Sequence, residues 1–388
     1  MKICLSEEFA QTIGDIKKLG DYDIEHGVSI RNKFIFNSIL NGLAQKGIKY
    51  ELIILHKKFS PFNLSYSYII PFFISKYIDS LNPCSYIFLE KLSKGIKLNE
   101  DVKNCNVVIL HHGFSLIKYY HNLNNVKKGA KPLVWLEMPD NLIETVAYTT
   151  HKRYCVENFE KILHKDSEVV DILTSPTLRD TLYYAKVFKT WHIFTIYNVF
   201  PDTFIDTAVL TKKNPCTLCV SIGSWNTEAV YRFVEEVAKL INGYKLGVEE
   251  IHVLGAKTLD IVHMGNIKVL YYPKMRLKQY YEFLSQCIIT ILYPRIPWSG
   301  GHSVRLNDAA LMGNVIMGSD FDLRGEPYEY QYTYIDPRDL VTKLHILLEN
   351  RDRLLRQGMR NREIALERVK RNKHTLDMLV DTIISQYA

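Results

Sequence analysis

The sequence predicts an α/β protein built on two doubly wound parallel sheets. Short apolar, β-branched runs alternate with helix-length amphipathic stretches along most of the chain. The alternation restarts after a polar stretch at 201–214, which opens on Pro201 and carries TKKN before Pro215. The chain of 388 residues is long enough for two sizeable cores. In the first half, residues 2–5 (KICL) form a strand, and 15–29 read as a loop holding Gly20 and Gly27. Residues 30–45 have helical period and stop at Gly47, because glycine tolerates the left-handed backbone that ends helices. Residues 50–55 form the next strand, and 58–100 are aromatic and irregular with one or more helices.

The runs CNVVILHHGF and KPLVWLEMPDN are continuous rather than alternating. They predict strands buried on both faces at 106–110 and 133–136. Helical stretches at 141–164, a strand at 169–174, a helix at 177–188 and a strand at 192–197 complete this half. The second half runs strand 218–222, loop GSWN, helix 227–241, strand 250–254 stopped by Gly255, strand 267–271, helix 277–285 and strand 287–293. After Pro294 and the pair Gly300–Gly301 come a helix at 303–312, a strand at 315–317, a short strand at 333–335 and a helix at 338–348. Residues 350–387 read as helical and basic near their start.

Composition narrows the function classes. The chain is 47% hydrophobic and 23% charged with net charge +7 and pI about 8.8, an ordinary globular composition with a mildly basic surface. A phosphorylated substrate or an anionic membrane face suits that balance. No basic block is interleaved with aromatics, so nucleic acid is not an expected partner. The seven cysteines are scattered and odd in number, which reads as no disulfide framework and a reducing, cytoplasmic setting. The opening MKICLSEEFA reads as a strand rather than a leader. Cys216 and Cys219 make a CxxC without a second ligand pair, so they read as buried strand thiols. No apolar run reaches the roughly 20 residues of a membrane-spanning helix. The nearest, YSYIIPFFISKYI at 66–78, is broken by Pro71 and reads as core, a pocket wall or a membrane-surface patch.

Chemistry concentrates at 290–320. A strand, a glycine turn, a helix and a strand make an anion site, because the first amides of the helix lack intrahelical partners and the dipole is positive there. Gly300, Gly301, His302, Ser303 and Val304 form that turn, and small residues let a phosphate approach the backbone. Asp308, further along the same helix, supplies a carboxylate for sugar hydroxyls. Lys274, His302 and Arg305 are the expected cations around it, with Arg295 a further candidate and His302 favoured by its place at the turn. In the other half, His111 and His112 follow one buried strand and Glu137 follows the next, all at carboxyl ends, where ligands of such sheets sit. A structural histidine and a helix-capping Glu137 are the alternative readings. DYD at 21–23 and DFD at 320–322 resemble metal-binding DxD, but DFD falls at a strand end of the second sheet. No metal is expected. There is no Walker loop and no G-x-G-x-x-G, which removes the main support for kinase and dinucleotide readings.

Taken in order, these pieces resemble a GT-B glycosyltransferase, nearest the large retaining family 4 (glycosyl transferases group 1). TLCVSIGSWN, EEIHVLGA, IKVLYYPKMRLKQYYEFLSQCIITILYP, DAALMGNVIMGSD and DPRDLVTKLHILLENRDRLLRQGMRNREIALERV follow the family's donor domain. SPTLRDTLY and IFTIYNVFPDTF follow the segment into its linker. The family brackets its motif with two Glu eight positions apart; here Asp308 keeps the second carboxylate and Gly300 replaces the first. Its donor loop usually carries Arg and Lys, whereas GSWNTEA offers Ser224, Asn226 and the ring N–H of Trp225.

The resemblance implies two Rossmann-like domains facing a central cleft: 1–203 for the acceptor, 204–370 for the nucleotide-sugar donor, and a helix at 371–388 packing back on the first. It implies transfer of a sugar from a nucleotide-sugar to a hydroxyl of a glycan, lipid-linked or protein acceptor, with retention of configuration. Gly27 would approach the donor phosphates, and Gly255, Tyr272 and Lys274 would line the nucleotide. One of His111, His112 and Glu137 would meet the donor sugar or the acceptor hydroxyl. The nucleotide-sugar is a substrate, and no resident cofactor is expected. A peripheral membrane contact is an expectation from the pI and the aromatic 63–90 region. Two alternatives stand beside this reading: a non-catalytic GT-B-like binding protein, favoured by Gly300 and GSWN, and a GT-B-type sugar-nucleotide epimerase.

Overall fold

The computed structural model of the chain describes residues 1–14, 27–58, 97–98, 102–127, 132–139, 143–144, 146–147, 153–199, 213–214, 216–222, 228–273, 275–293 and 304–387. The expected boundary near 203–204, the 63–90 aromatic region, and Ser224, Trp225, Asn226, Lys274, Arg295, Gly300, Gly301, His302 and Ser303 lie outside these residues.

The described chain is a mixed α/β protein organised on two large sheets. The first contains β1 (Lys2–Ser6), β2 (Glu51–Leu55), β5 (Val107–His111), β6 (Leu133–Glu137), β7 (Ile172–Ser175) and β8 (His192–Thr195). Their order is β2-β1-β5-β6-β7-β8, and every pairing is parallel. A separate two-residue ladder joins β3 (Lys57–Lys58) to β4 (Lys97–Leu98). Among the described residues, helices α1 (Glu7–Ile13), α2 (Gly27–Gln45), α3 (His112–Lys127), α4 (Arg153–Asp166) and α5 (Leu178–Val187) accompany the first sheet. Strands β5 and β6 are apolar on both faces because helices cover both, as their unbroken hydrophobic runs predict.

The second sheet orders β11 (Asp260–Met264), β12 (Ile267–Pro273), β10 (Glu250–Ala256), β9 (Thr217–Ser221), β13 (Ile289–Leu292), β14 (Val315–Gly318) and β15 (Gln331–Thr333). All pairs are parallel except β11 with β12, which form an antiparallel edge. Helices α6 (Glu228–Tyr244), α7 (Leu277–Gln286), α8 (Val304–Leu311), α9 (Asp320–Leu323), α10 (Pro337–Leu348) and α11 (Arg351–Tyr387) belong to this half of the chain. Asp336 caps α10 by accepting from the Asp339 amide, and Pro337 sits at the first helical turn, where no backbone N–H is needed.

Several local expectations are corrected. Residues 7–13 form α1, capped by Ser6, where no helix was expected. Gly27 opens α2 and is not a loop residue. The strand expected at 169–174 begins at Ile172, after a 3-10 turn at Ser167–Val169. DFD lies in the short helix α9, capped by Ser319, and not at a strand end. The reading of unbridged cysteines fails at Cys4 and Cys105, which form a disulfide with Cα atoms 5.9 Å apart. Cys4 lies in β1, and Cys105 lies two residues before its neighbour β5; the sheet joins residues separated by 101 positions.

The helical reading of 350–387 corresponds to the single helix α11, which runs through the expected C-terminal helix at 371–388 as far as Tyr387. Leu354 of α11 packs into the second sheet's core, whereas Leu376, Leu379, Val380 and Ile383 pack into the first sheet's core. Two buried asparagines on α11 clamp passing backbone. Asn361 bonds the carbonyls of Asn314 and Tyr330 and the Tyr330 amide, at 3.1, 2.9 and 3.1 Å. Asn372 bonds the Tyr197 amide and the carbonyls of Tyr197 and Val199, at 2.8, 2.9 and 3.0 Å. These bonds satisfy peptide groups that burial would otherwise leave unpaired.

The approach of α11 to β14 depends on Gly358. A Cβ built there would lie 2.1 Å from the Gly313 carbonyl oxygen, which is backbone and cannot rotate away. Gly358→Ala should therefore destabilise by about 1–3 kcal/mol in urea unfolding, despite alanine's better helix propensity. A more stable variant would show that the crossing is looser than this.

Candidate functional site

In each large sheet the strand order reverses at one point, and ligands of doubly wound sheets bind beyond the carboxyl ends of the strands flanking it. In the first sheet that point lies between β1 and β5; in the second it lies between β9 and β13.

The first reversal places His111 at the end of β5, in register with Glu137 on β6, which is in register with Thr174 on β7. Glu137 is 0% exposed. Its Oε1 accepts from Arg31 Nε at 2.6 Å, and its Oε2 accepts from the Thr174 hydroxyl. Trp135 Nε1 donates to Thr174 Oγ1 at 2.7 Å and fixes that hydroxyl. Arg31, fully buried on α2, also donates to the Ile196 carbonyl and to Asn198 Oδ1. Both carboxylate oxygens are thus engaged within the described residues, and the helix start near Asn141, the alternative place for Glu137 to cap, lies outside them. Glu137 is the partner a buried guanidinium requires, and it ties α2, β6 and the 196–198 segment together.

His111 differs. Asn32 Nδ2 lies 3.2 Å from His111 Nδ1 and donates to Thr12 Oγ1 at 2.7 Å, while Thr12 donates to the Phe9 carbonyl. The amide nitrogen is therefore a donor toward the ring, which leaves Nδ1 as acceptor and places the proton on Nε2. Burial lowers the His111 pKa to about 4; the Glu8 charge opposes the shift and the Arg31 charge adds to it. His112 opens α3 with φ of 71°, a left-handed backbone that is unusual for a residue with a side chain. Its pKa is lowered to about 3 by burial, then by His111 and Lys118. The two rings have centroids 6.1 Å apart. Glu8, just past β1, accepts from Lys118 Nζ at 3.0 Å and from the Tyr119 hydroxyl at 3.3 Å. Neutral imidazoles of such low basicity suit donating or accepting hydrogen bonds at a ligand oxygen better than abstracting a proton.

At the second reversal, Ser221 ends β9, and its carbonyl accepts from the Arg305 guanidinium on α8. One helical turn on, Asp308 is buried, and its Oδ1 accepts from the Tyr281 hydroxyl on α7 at 2.8 Å. Burial raises the Asp308 pKa to about 7; the Tyr281 bond and the Arg305 charge oppose the shift without cancelling it. The neighbouring Asn307 accepts from the Tyr328 hydroxyl at 2.6 Å and from Arg368 Nη1 at 2.9 Å. Arg368 pairs with Glu326 at 2.5 Å and lies over the Tyr197 and Tyr328 rings, 4.3 and 5.2 Å from their centroids. Side chains of α11 thus fix α8 from behind and hold the 197–199 segment.

Gly255 and Tyr272 come together at the carboxyl ends of β10 and β12. Leu254 is in register with Tyr272, and the register shifts between Leu254 and Ala256. Gly255 has φ of 101°, which a side chain would strain. Tyr272 packs on Phe283 with ring centroids 4.2 Å apart. Val304 begins α8 and is partly exposed. Among the described residues no group of three or more His, Cys, Asp and Glu side chains is placed to hold a metal.

Sequence reasoning missed Glu8, Arg31, Asn32, Tyr281 and Arg368. Glu8 follows the Ser6 cap, a local signal that was available. The others are set by contacts distant in sequence and carry no local signature.

No protein-family model matches the chain, and no curated protein matches it. Solved structures do. A trehalose-6-phosphate synthase studied for glycosyl transfer with retention is 11% identical, with TM-score 0.57 and 99% of each chain covered. A structure described as trehalose-6-phosphate from E. coli bound with UDP-2-fluoro glucose is 10% identical, with TM-score 0.56 and 99% of each chain covered. The chain has the GT-B fold. A UGT from Arabidopsis thaliana complexed with quercetin shares it at 10% identity and TM-score 0.55, over 98% of this chain and 99% of that one. The GT-B architecture covers nearly the whole chain in these alignments. No helix among the described residues is long and apolar enough to cross a membrane.

Proposed function

We propose that this GT-B chain is a glycosyltransferase that moves a sugar from a nucleotide-sugar donor to a hydroxyl of a glycan, lipid-linked or protein acceptor. The observation that carries this reading is Asp308, a buried carboxyl on the helix that follows the β9–β13 reversal, braced by Tyr281 and flanked by Arg305. Its ionised form accepts the two hydroxyls of a ribose. Gly255 and Tyr272 line the nucleotide, and the second sheet is the donor half within 204–370. Within 1–203, the His111–His112 pair offers ring nitrogens to sugar oxygens. The amides at the start of α8, with Arg305, meet the diphosphate as its charge develops. The solved neighbours are described with a UDP-sugar, with quercetin and with transfer under retention; these favour a UDP donor, a hydroxyl acceptor and retained configuration here. No metal is assigned to the reaction.

A thermal-shift series with UDP, GDP, ADP, TDP and CMP, and with their sugars, with and without Mg²⁺, tests the reading. A ligand at about 100 times its Kd stabilises the folded state by about 2.7 kcal/mol. One nucleotide should raise the melting temperature, one of its sugars should raise it further, and Mg²⁺ should add nothing. No shift with any nucleotide at high concentration would favour a non-catalytic GT-B binding protein. Sugar-nucleotide isomerisation without acceptor would favour an epimerase.

A further inference from the structure

We propose that the outer face of α5 and the turn leading into β8 dock on an anionic lipid bilayer. Trp191, in that turn, is 96% exposed. Leu178 and Leu182, one helical turn apart on α5, are also exposed apolar side chains. A single exposed leucine means little, but an almost fully exposed tryptophan on the same helix-turn unit as two more exposed apolar side chains is a different surface.

The turn itself is basic. Residues 181–200 contain no Asp or Glu, while Lys186, Lys189 and His192 are all exposed. The same edge includes the end of α4. His164 Nδ1 lies 2.7 Å from the Val187 carbonyl, and the Lys189 amide donates to Ser167 Oγ at 3.1 Å. Lys161 and Lys165 are exposed on that helix. The carboxylates on the adjoining segments are partly withdrawn, although Glu168 stays exposed. Asp166 and Asp180 are buried, Asp171 accepts from the Val134 amide, Glu160 accepts from the Tyr183 hydroxyl, and Glu168 accepts from the Tyr120 hydroxyl.

This combination matches a lipid headgroup layer. Tryptophan prefers the boundary between headgroups and hydrocarbon, because its ring is apolar and its N–H is polar. Lysine buries its stem and keeps its ammonium among phosphates. Each lysine near an anionic surface adds attraction that salt screens. The lysines therefore bring the face to the bilayer, and Trp191 and the leucines hold it there. The inference does not depend on the transfer activity proposed above.

The test is co-sedimentation of the full chain with phosphatidylcholine vesicles, with and without about one third phosphatidylserine, at low and high salt. Binding is expected only to the anionic vesicles and should weaken as salt rises. Lys186→Glu with Lys189→Glu should lower the partition coefficient by roughly thirtyfold or more. Trp191→Ala should lower it by about tenfold and abolish quenching by brominated lipid. All three positions are exposed, so these variants should melt like the parent chain, and lost binding would not reflect misfolding. Absence of vesicle binding, equal binding to neutral vesicles, or binding indifferent to Trp191→Ala would each overturn the proposal. A protein partner for this face would appear as the first of these outcomes.

Discussion

Asp308→Asn is expected to melt at a higher temperature than the parent chain at pH 7 and above, and to bind nucleotide-sugar roughly 10- to 100-fold more weakly. The two effects have opposite signs for one reason. Burial raises the Asp308 pKa to about 7, against about 3.9 for an unfolded aspartate. Between these values the folded chain holds a proton that the unfolded chain has released. Stability therefore falls as pH rises from about 4 to about 7, by at most about 1.4 kcal/mol per unit, and levels off once the folded carboxyl also ionises. Asparagine resembles the protonated form at every pH and still accepts from the Tyr281 hydroxyl. The variant should match the parent near pH 4 and exceed it by up to about 4 kcal/mol at pH 8, read from urea unfolding at each pH. A ribose needs the ionised carboxylate as acceptor, so nucleotide binding by the parent should strengthen as pH rises through 7. A residue held only for the fold would lose stability on substitution and leave binding intact. Unchanged nucleotide affinity in Asp308→Asn would move the ribose contact elsewhere.

Glu137→Gln is expected to behave in the opposite way, losing about 3–5 kcal/mol of stability because it strands the Arg31 guanidinium inside the protein. Among the described residues Arg31 Nη2 has no hydrogen-bond partner, and Glu137 is the carboxylate that pairs with the group, so the loss of Oε1 as an anion removes that pairing. Arg31→Met should cost a similar amount by stranding the carboxylate. The double variant Arg31→Met, Glu137→Met should recover much of the loss, since replacing both charges with apolar groups removes the desolvation cost as well as the attraction. Denaturant unfolding of the two single variants and the double variant closes this cycle. A Glu137→Gln chain that melts normally but turns over slowly would instead return Glu137 to the catalytic role that its place in the sequence suggests.

The sheets were legible because their strands are continuous apolar runs closed by polar or glycine residues, as in CNVVILHHGF and EEIHVLGA. Elements that lack such a run were not. Strand β11 is an edge strand, mostly exposed or partly exposed, and its sequence DIVHM carries too little apolar pattern to stand out. Helix α1 is only seven residues long, below the length at which helical period can be read. Asp308 was legible as a ligand candidate because the turn, the helix and the carboxylate are adjacent in sequence. Its elevated pKa was not, because that comes from burial by the surrounding fold, against the opposing bond from Tyr281, which is 27 positions away.

By itself the sequence determined the local pieces: strand runs, helix stops, and the position of Asp308 on the helix that follows β13. Each depends on residues within a turn or two of one another, where backbone sterics and side-chain period act. Tertiary structure alone decided which polar groups are free to act. Glu137 and Arg31 are 106 positions apart, Cys4 and Cys105 are 101 apart, and Arg31 and Asn198 are 167 apart. Burial makes an unpaired charge costly, so these groups take the partners the fold brings to them. A motif can nominate a catalytic group, but only packing shows whether its charge is already spent on holding the protein together.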